Sequence, residues 1–304
     1  MTTDKALKTV RVSMMNAIHD LPVLVARDEG FFRDEGLDVE VLTTPGVAQY
    51  GSDHQALRED IFARTMESVY DQGGCDQFRM CEWGVMKRTV EATLTGHRPA
   101  KIVALGSAMS SFALVAAPDS GIYEPEQLKG RPVAVSPFNG SHFTTLKMLE
   151  GFLQRDQIKW ANAGTMRERL DALRKGEVAA ASVMEPWISV AEKHGFRVLI
   201  ESHSSRSEAA GDELDGPTLA AMFRAEARAA DAIERDPSPY LHYLLEEAGG
   251  VLEARDLQTR RIVNAHPKCY SRERFEDTYR WTVAWDLVAP GATYETAVDN
   301  RAWE

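Results

Sequence analysis

The first forty residues change twice between strand-like and helix-like hydrophobic spacing. Residues 8–14 and 37–42 alternate apolar and polar positions, which is typical of strands with one buried face. Between them, Leu21 and Val25 stand at helical spacing, and Gly30 suits the end of a helix. The pattern therefore predicts a strand–helix–strand unit whose two strands are parallel and joined by a right-handed crossover.

The rest of the chain continues this alternation, which predicts an α/β protein. Strands are predicted at 75–81, 101–105, 111–117, 131–136, 159–161, 176–183 and 196–200. Helices are predicted at 56–69, 82–94, 141–153, 165–175, 185–194, 225–235, 239–247, 252–263 and 272–287. Residues 49–55 and 202–216 are polar, and the longer stretch is predicted to be a loop or a lid. Residues 218–223 are predicted to return the chain to the part of the fold where it began.

Three stretches resemble the nitrate/sulfonate/taurine (SsuA-like) and NMT1/THI5-like family of substrate-binding proteins. Residues 20–42 carry a Gly-Phe-Phe step followed by an acidic strand, Glu-Gly-Leu-Asp-Val-Glu. Residues 123–130 read Tyr-Glu-Pro-Glu-Gln-Leu-Lys-Gly, and residues 171–200 contain a Lys-Gly-Glu-Val step and a Glu-Pro-Trp step. The resemblance implies a type II periplasmic-binding-protein-like fold, with a ligand cleft between two α/β lobes.

The resemblance further implies that residues 1–110 and 218–304 form lobe I and that residues 111–217 form lobe II. In this family the ligands are small anionic or aromatic organic molecules, and the partner is an ABC permease. The same scaffold also carries enzymes, among them pyrimidine synthases of thiamine biosynthesis, a sulfinate desulfinase and relatives of a decarboxylase. Two functions therefore remain open: a solute-binding component of an uptake system, or a cytosolic enzyme such as a lyase.

The composition excludes some classes of binding partner but says little about the activity. The 304 residues carry a net charge of −11, which argues against a nucleic-acid surface and against anionic membranes. The start of the chain has no apolar segment typical of a signal peptide, which predicts a cytoplasmic protein, or a periplasmic one if a leader was removed. No apolar run is long enough to span a membrane. Three cysteines fit reduced thiols better than a disulfide framework.

Ligands of open α/β sheets bind beyond the carboxyl ends of the strands. This rule selects four loops, at 19–20, 79–83, 138–144 and 184–187. The third is the clearest anion site, because a glycine lets the backbone approach and Ser141 is a preferred N-cap. The N–H groups of the two following residues would then point at an anion. Ordinary helix capping without a ligand is the alternative.

The candidate ligand contacts combine charged, aromatic and helix-start residues: His19, Arg79, Cys81, Glu82, Trp83, Asn139, Gly140, Ser141, His142, Glu185 and Trp187. Arg79 suits bidentate capture of a carboxylate, but it can instead form a salt bridge with Glu82 or another acid. Trp83 and Trp187 can stack on an aromatic ligand, or they can belong to the core.

The candidates for catalysis are His19, Cys81 and Glu185, with Cys81 as a nucleophile paired to His19 or His142. The desulfinases of this family carry their nucleophilic cysteine before the first helix, where this chain reads Ala17-Ile-His-Asp20. The cysteine-rich iron motif of the THI5 branch is also missing from the sequence, as are zinc and nucleotide motifs. We therefore expect no metal and no cofactor. The missing leader favours an enzyme, whereas the missing nucleophile favours a binding protein.

Overall fold

The computed structural model describes residues 6–43 and 66–304. The predicted loop at 49–55 and most of the predicted helix at 56–69 lie outside these residues. The strands are β1 Lys8–Met14, β2 Leu37–Thr43, β3 Gln77–Cys81, β4 Lys101–Ala116, β5 Pro132–Val135, β6 Lys159–Asn162, β7 Ala180–Met184, β8 Arg197–Ala210 and β9 Val263–Asn264. The helices are α1 Ala17–Asp28, α2 Phe31–Asp34, α3 Met66–Asp71, α4 Glu82–Thr95, α5 Gly140–Leu149, α6 Met166–Arg174, α7 Trp187–Lys193, α8 Gly216–Arg235, α9 Leu241–Glu247, α10 Arg272–Ala284 and α11 Tyr294–Ala297.

One mixed sheet connects the strands in the order β2-β1-β3-β8-β4-β7-β5-β6, and β9 pairs with β4. The outer pairs β1–β2 and β5–β6 are parallel, as expected for strands joined through helices. The two long central strands, β4 and β8, run antiparallel along most of their length. They therefore connect one parallel group of strands to the other, which confirms the α/β class.

The predicted strand–helix–strand unit at the N-terminus is confirmed. Strands β1 and β2 pair in parallel from Lys8 opposite Leu37 to Met14 opposite Thr43. Helix α1 begins after Asn16, whose side chain accepts the backbone N–H of His19 at 3.1 Å, a normal N-cap. The prediction that His19 lies in a loop is therefore wrong, because His19 is in the first turn of the helix.

A prediction in the second half of the chain is also wrong. The supposed loop at 202–216 is largely strand, since β8 continues to Ala210. Residues 218–223 belong to helix α8, which is capped by Asp215 accepting the N–H of Thr218 at 2.8 Å. The sequence misleads here because the buried face of β8 is polar.

The predicted helix at 252–263 is replaced by two short 3₁₀ turns and strand β9. Its buried residues Leu252 and Leu257 are five positions apart, so they cannot lie on the same face of a helix. Among the helices that the structure describes, none is long and apolar enough to cross a membrane.

Candidate functional site

Two buried arginines project from neighbouring strands beneath the start of α1. The antiparallel register of β3 and β8 sets Arg79 opposite Glu208 and Cys81 opposite Arg206. Cross-strand neighbours share a face of the sheet, as do residues two apart on one strand. Both guanidinium groups therefore lie on the same face, and each arginine is only 1% exposed.

Arg79 is held by carboxylates of the protein. Its Nη2 lies 3.3 Å from a carboxylate oxygen of Glu208 and 3.3 Å from one of Glu226, and its Nη1 lies 3.7 Å from Asp20. Burial opposes the charged form, but the three acids outweigh it and raise the pKa of Arg79. Ion pairing, one of the two alternatives for Arg79, is thus present, although the partner is not Glu82.

Arg206 is equally buried but has fewer ionic and hydrogen-bond partners. Its Nη1 lies 3.2 Å from Asp20 Oδ1. None of its three nitrogen atoms has a hydrogen-bond partner among residues 6–43 and 66–304. Burial lowers the pKa of Arg206 and the nearby Arg79 adds to the effect, whereas Asp20 opposes it. A guanidinium carries five N–H donors, so Arg206 can offer several of them to an acceptor.

The sequence analysis missed Arg206 because it fell in the stretch predicted to be a loop. Every residue from Ser204 to Glu208 is polar, and Ser204 and Glu208 face the same side of the strand as Arg206. A strand with polar residues on its buried face does not show the hydrophobic alternation by which strands are recognised.

His19 lies next to this charge cluster. Burial, reinforced by the charge of Arg206, lowers the pKa of His19 well below its usual range, so its imidazole is neutral at pH 7. Its Nδ1 contacts Met15 Sδ at 2.8 Å, and its buried Nε2 has no hydrogen-bond partner in the part of the chain that the structure describes. The imidazole ring lies 6.4 Å from the ring of Phe112.

The starts of two helices meet at Phe112. Cys81 occupies the N-cap position of α4, and α5 begins at Gly140. A Cβ atom added to Gly140 would lie 3.1 Å from Phe112 Cζ and 3.5 Å from both Cβ and Sγ of Cys81. Three predicted site residues, His19, Cys81 and Gly140, are thus brought together around Phe112. Asn16 adds a further contact nearby, because its side-chain amide lies 3.3 Å from Met184 Sδ.

The capping of α5 differs from the prediction. Asn139, not Ser141, is the N-cap residue, and its carbonyl oxygen accepts the N–H groups of His142 at 2.9 Å and Phe143 at 3.1 Å. These two N–H groups are therefore engaged and do not point at a ligand. The hydroxyl oxygen of Ser141 accepts the N–H of Ser136 at 2.9 Å. The first N–H groups of the helix are instead those of Gly140 and Ser141.

Glu82 and Trp83 contact helix α10 and the residues just before it. Glu82 accepts hydrogen bonds from the Tyr270 hydroxyl, from the Thr278 hydroxyl at 2.8 Å and from Arg274 Nε at 2.7 Å. The ring of Trp83 lies 5.8 Å from that of Trp281. Both side chains thus have protein partners on the outer side of α4.

Glu185, Trp187 and His142 also have protein neighbours. Glu185 accepts the N–H of Ser189 at 3.2 Å and contacts Arg261 at 3.2 Å. Burial raises the pKa of Glu185, although these two partners oppose the shift. Trp187 packs under Arg167 at 5.4 Å.

The ring of His142 lies 4.6 Å from Trp160, and burial lowers the pKa of His142 to about 4. Its Nδ1 accepts the N–H of Phe138 at 3.2 Å. In residues 6–43 and 66–304, no group of three or more His, Cys, Asp or Glu side chains is arranged to hold a metal ion.

Sequence comparison finds no match to a protein-family model or to a curated protein, but solved structures do match. The periplasmic aliphatic sulphonate-binding protein SsuA from Escherichia coli has a TM-score of 0.69 at 16% identity, covering 96% of this chain and 92% of that one. The periplasmic nitrate-binding protein NrtA from Synechocystis PCC 6803 has a TM-score of 0.68 at 13% identity, covering 98% and 87%. The chain has the two-lobed fold of periplasmic binding proteins. The desulfurization enzyme DSZB shares the fold at a TM-score of 0.58 and 16% identity, covering 97% of each chain.

Proposed function

We propose that this protein reversibly binds a small anion in the cleft between its lobes, as the solute-binding component of an ABC import system. The proposal assigns it to the nitrate/sulfonate/taurine and NMT1/THI5-like group. It takes residues 1–110 and 218–304 as lobe I and residues 111–217 as lobe II, with β4 and β8 crossing between them. The similarity to a sulfonate-binding and a nitrate-binding protein supports this choice. A permease partner implies a periplasmic or cell-surface location, which fractionation of cells expressing the whole gene would check.

The observation that carries the proposal is the state of Arg206. Buried polar groups in folded proteins nearly always have hydrogen-bond partners. Arg206 is 1% exposed, and none of its nitrogen atoms has such a partner within the described residues. A sulfonate, nitrate or carboxylate presents oxygen atoms that a planar guanidinium can bind in pairs. We assign Arg206 as the anion contact.

The surrounding residues suit a compact anion with a small apolar part. The Nε2 of His19 and the first N–H groups of α5, at Gly140 and Ser141, can supply further donors. Phe112 and Cys81 supply apolar surface beside them. Arg79 is held by acids and contributes positive potential from beneath. The remaining candidates Asn139, Glu82, Trp83, His142, Glu185 and Trp187 have protein neighbours and would support the walls of this site.

The test is a thermal-shift screen followed by calorimetry. The panel contains nitrate, ethanesulfonate, aromatic carboxylates and pyrimidines, in a buffer free of sulfonates. We expect an anion to stabilise the protein and Arg206→Lys to weaken its binding about 10-fold or more, because charge-assisted hydrogen bonds contribute about 1.5–3 kcal/mol. Lysine keeps the charge but loses the paired donors.

Arg88→Lys is the matched control. Arg88 is also 1% exposed, but it pairs with Asp71 and donates to the carbonyl of Arg98 at 3.0 Å, away from the proposed site. Equal affinity in wild type and Arg206→Lys contradicts the assignment. Mass spectrometry of each bound compound after incubation decides between binding and catalysis: an unchanged compound supports a binding protein, whereas released sulfite or CO2 supports the enzyme alternative.

A further inference from the structure

Beneath Arg206, two glutamates share one arginine. Glu208 on β8 and Glu226 on α8 both place a carboxylate oxygen 3.3 Å from Nη2 of Arg79. Glu208 also accepts a hydrogen bond from the Gln77 side-chain amide at 2.5 Å, and Glu226 accepts one from the Ser107 hydroxyl at 2.7 Å. Glu208 is 1% exposed and Glu226 is fully buried.

The charges of this cluster do not balance. Three carboxylates face two guanidiniums, so full ionisation leaves a net charge of 2 − 3 = −1 in the core; the charged groups are Asp20, Arg79, Arg206, Glu208 and Glu226. Burial of a net charge is unfavourable. Burial and the charge of Glu208 raise the pKa of Glu226 to about 8. Glu226, which lies next to Glu208, thus keeps its proton at neutral pH.

We propose that binding of an anion at Arg206 is coupled to uptake of one proton by Glu226, the deeper member of the Glu208–Glu226 pair. The proposal rests on the proposed function and adds its regulation. An anion bound without a proton would bring the cluster to a net charge of −2, whereas with the proton the charge is −1. Both glutamates act electrostatically on Arg206, so binding of the anion and binding of the proton affect each other through that side chain.

The direction of the pH dependence follows from linkage. Where the pair already holds its proton, binding takes up none and the affinity does not depend on pH. Above about pH 8 the free protein loses the proton, and binding must recover it. The affinity then falls as the pH rises, by at most about tenfold for each pH unit. His19 does not contribute, because burial keeps its pKa well below this range.

The experiment uses nitrate and ethanesulfonate, anions of strong acids that do not change their own charge. Calorimetry gives the dissociation constant from about pH 6 to about pH 9.5. Titrations in two non-sulfonate buffers with different ionisation enthalpies give the number of protons taken up, which requires no variant. Glu226→Gln mimics the protonated acid, so we expect it to bind with nearly constant affinity over the range. Glu208→Gln removes the other half of the pair and is the second variant if the first does not fold.

Glu247→Gln is the matched control. Glu247 is partly buried, and burial, reinforced by the charge of Asp20, raises the pKa of this group to about 7, but it accepts the N–H of Ala17 at 2.7 Å and is not an ion-pair partner of Arg79 or Arg206. We expect this variant to keep the wild-type decrease in affinity above pH 8.

Proton uptake in wild type that disappears in Glu226→Gln and survives in Glu247→Gln supports the coupling. A flat affinity in wild type, or a slope that survives in Glu226→Gln or disappears in Glu247→Gln, overturns the coupling and leaves the proposed function intact. No binding of either anion at any pH, nor of any carboxylate of the screen, contradicts the proposed function and the coupling with it.

Discussion

Replacing Gly140 with alanine tests how closely the start of α5 packs on Phe112. The added methyl carbon would lie 3.1 Å from Phe112 Cζ and 3.5 Å from two atoms of Cys81. Carbon atoms pack best at about 3.5–4.0 Å, so the first contact is too close and the ring must move. The φ angle of Gly140 is not in the left-handed region, so alanine brings no backbone strain and changes only the packing.

The size of the effect follows from overpacking. One extra methyl group in a well-packed contact costs about 1–3 kcal/mol. Phe112 and Gly140 both belong to the proposed lobe II, so the contact does not depend on closure of the cleft, and Gly140→Ala should lower the free energy of unfolding of the ligand-free protein by this amount. Relief of the contact also moves the first N–H groups of α5, which are proposed donors to the anion, so we expect the affinity for the anion to fall as well.

Calorimetric titration with the anion found in the screen measures the affinity, and urea unfolding without ligand measures the stability. Gly151→Ala is the control, because an added Cβ there meets no atom within 4 Å and Gly151 has no left-handed φ angle. Wild-type stability in Gly140→Ala would refute the close packing of α5 on Phe112. The same loss in both variants would show that the effect is not specific to this contact.

Two further predictions concern buried carboxylates. Asp20→Asn removes the counter-ion of Arg206, so urea unfolding should show that the free energy of unfolding falls by about 3 kcal/mol. Added ethanesulfonate should stabilise this variant more than it stabilises the wild type. A smaller stabilisation than in wild type would contradict the pairing of Asp20 with Arg206. Burial raises the pKa of Glu247 from 4.5 to about 7. Between these two pH values the folded state holds a proton that the unfolded state has lost. The free energy of unfolding therefore falls as the pH rises from about 4.5 to about 7, by about 3 kcal/mol in total. Glu247→Gln should remove this decrease in urea unfolding at pH values across the window, and an unchanged pH profile would show that Glu247 does not cause it.

The sequence predicted elements whose buried face is apolar. The β1–α1–β2 unit was found because Val10, Val12 and Val39 alternate with polar residues along the sequence. Strand β8 was missed in its second half, because its inward residues Arg206 and Glu208 are charged and form their ion pairs with residues of other elements. Such partners are remote in sequence, and a single sequence does not show which residues they are.

The same limit applies to the site. His19, Cys81 and Gly140 were found because they follow strands or begin helices, where a general rule places ligands. Glu226 lies in the middle of α8 and follows no such rule. It does stand between Met222 and Ala229, which are buried. A glutamate on the apolar stripe of an amphipathic helix is a signal of a buried partner, although it does not identify that partner.

Arg79 and Arg206 have the same burial, so the difference between them must lie in their partners. Arg79 contacts two carboxylates at 3.3 Å and is fixed by them. Arg206 has one ionic contact with Asp20 and no hydrogen bond from its guanidinium within the described residues. A buried arginine that serves stability alone gains nothing from unused donors, because apolar residues of similar size would do as well or better. This difference in partners therefore favours anion binding as the role of Arg206. The acids around Arg79 compensate for the burial of the charge of Arg79.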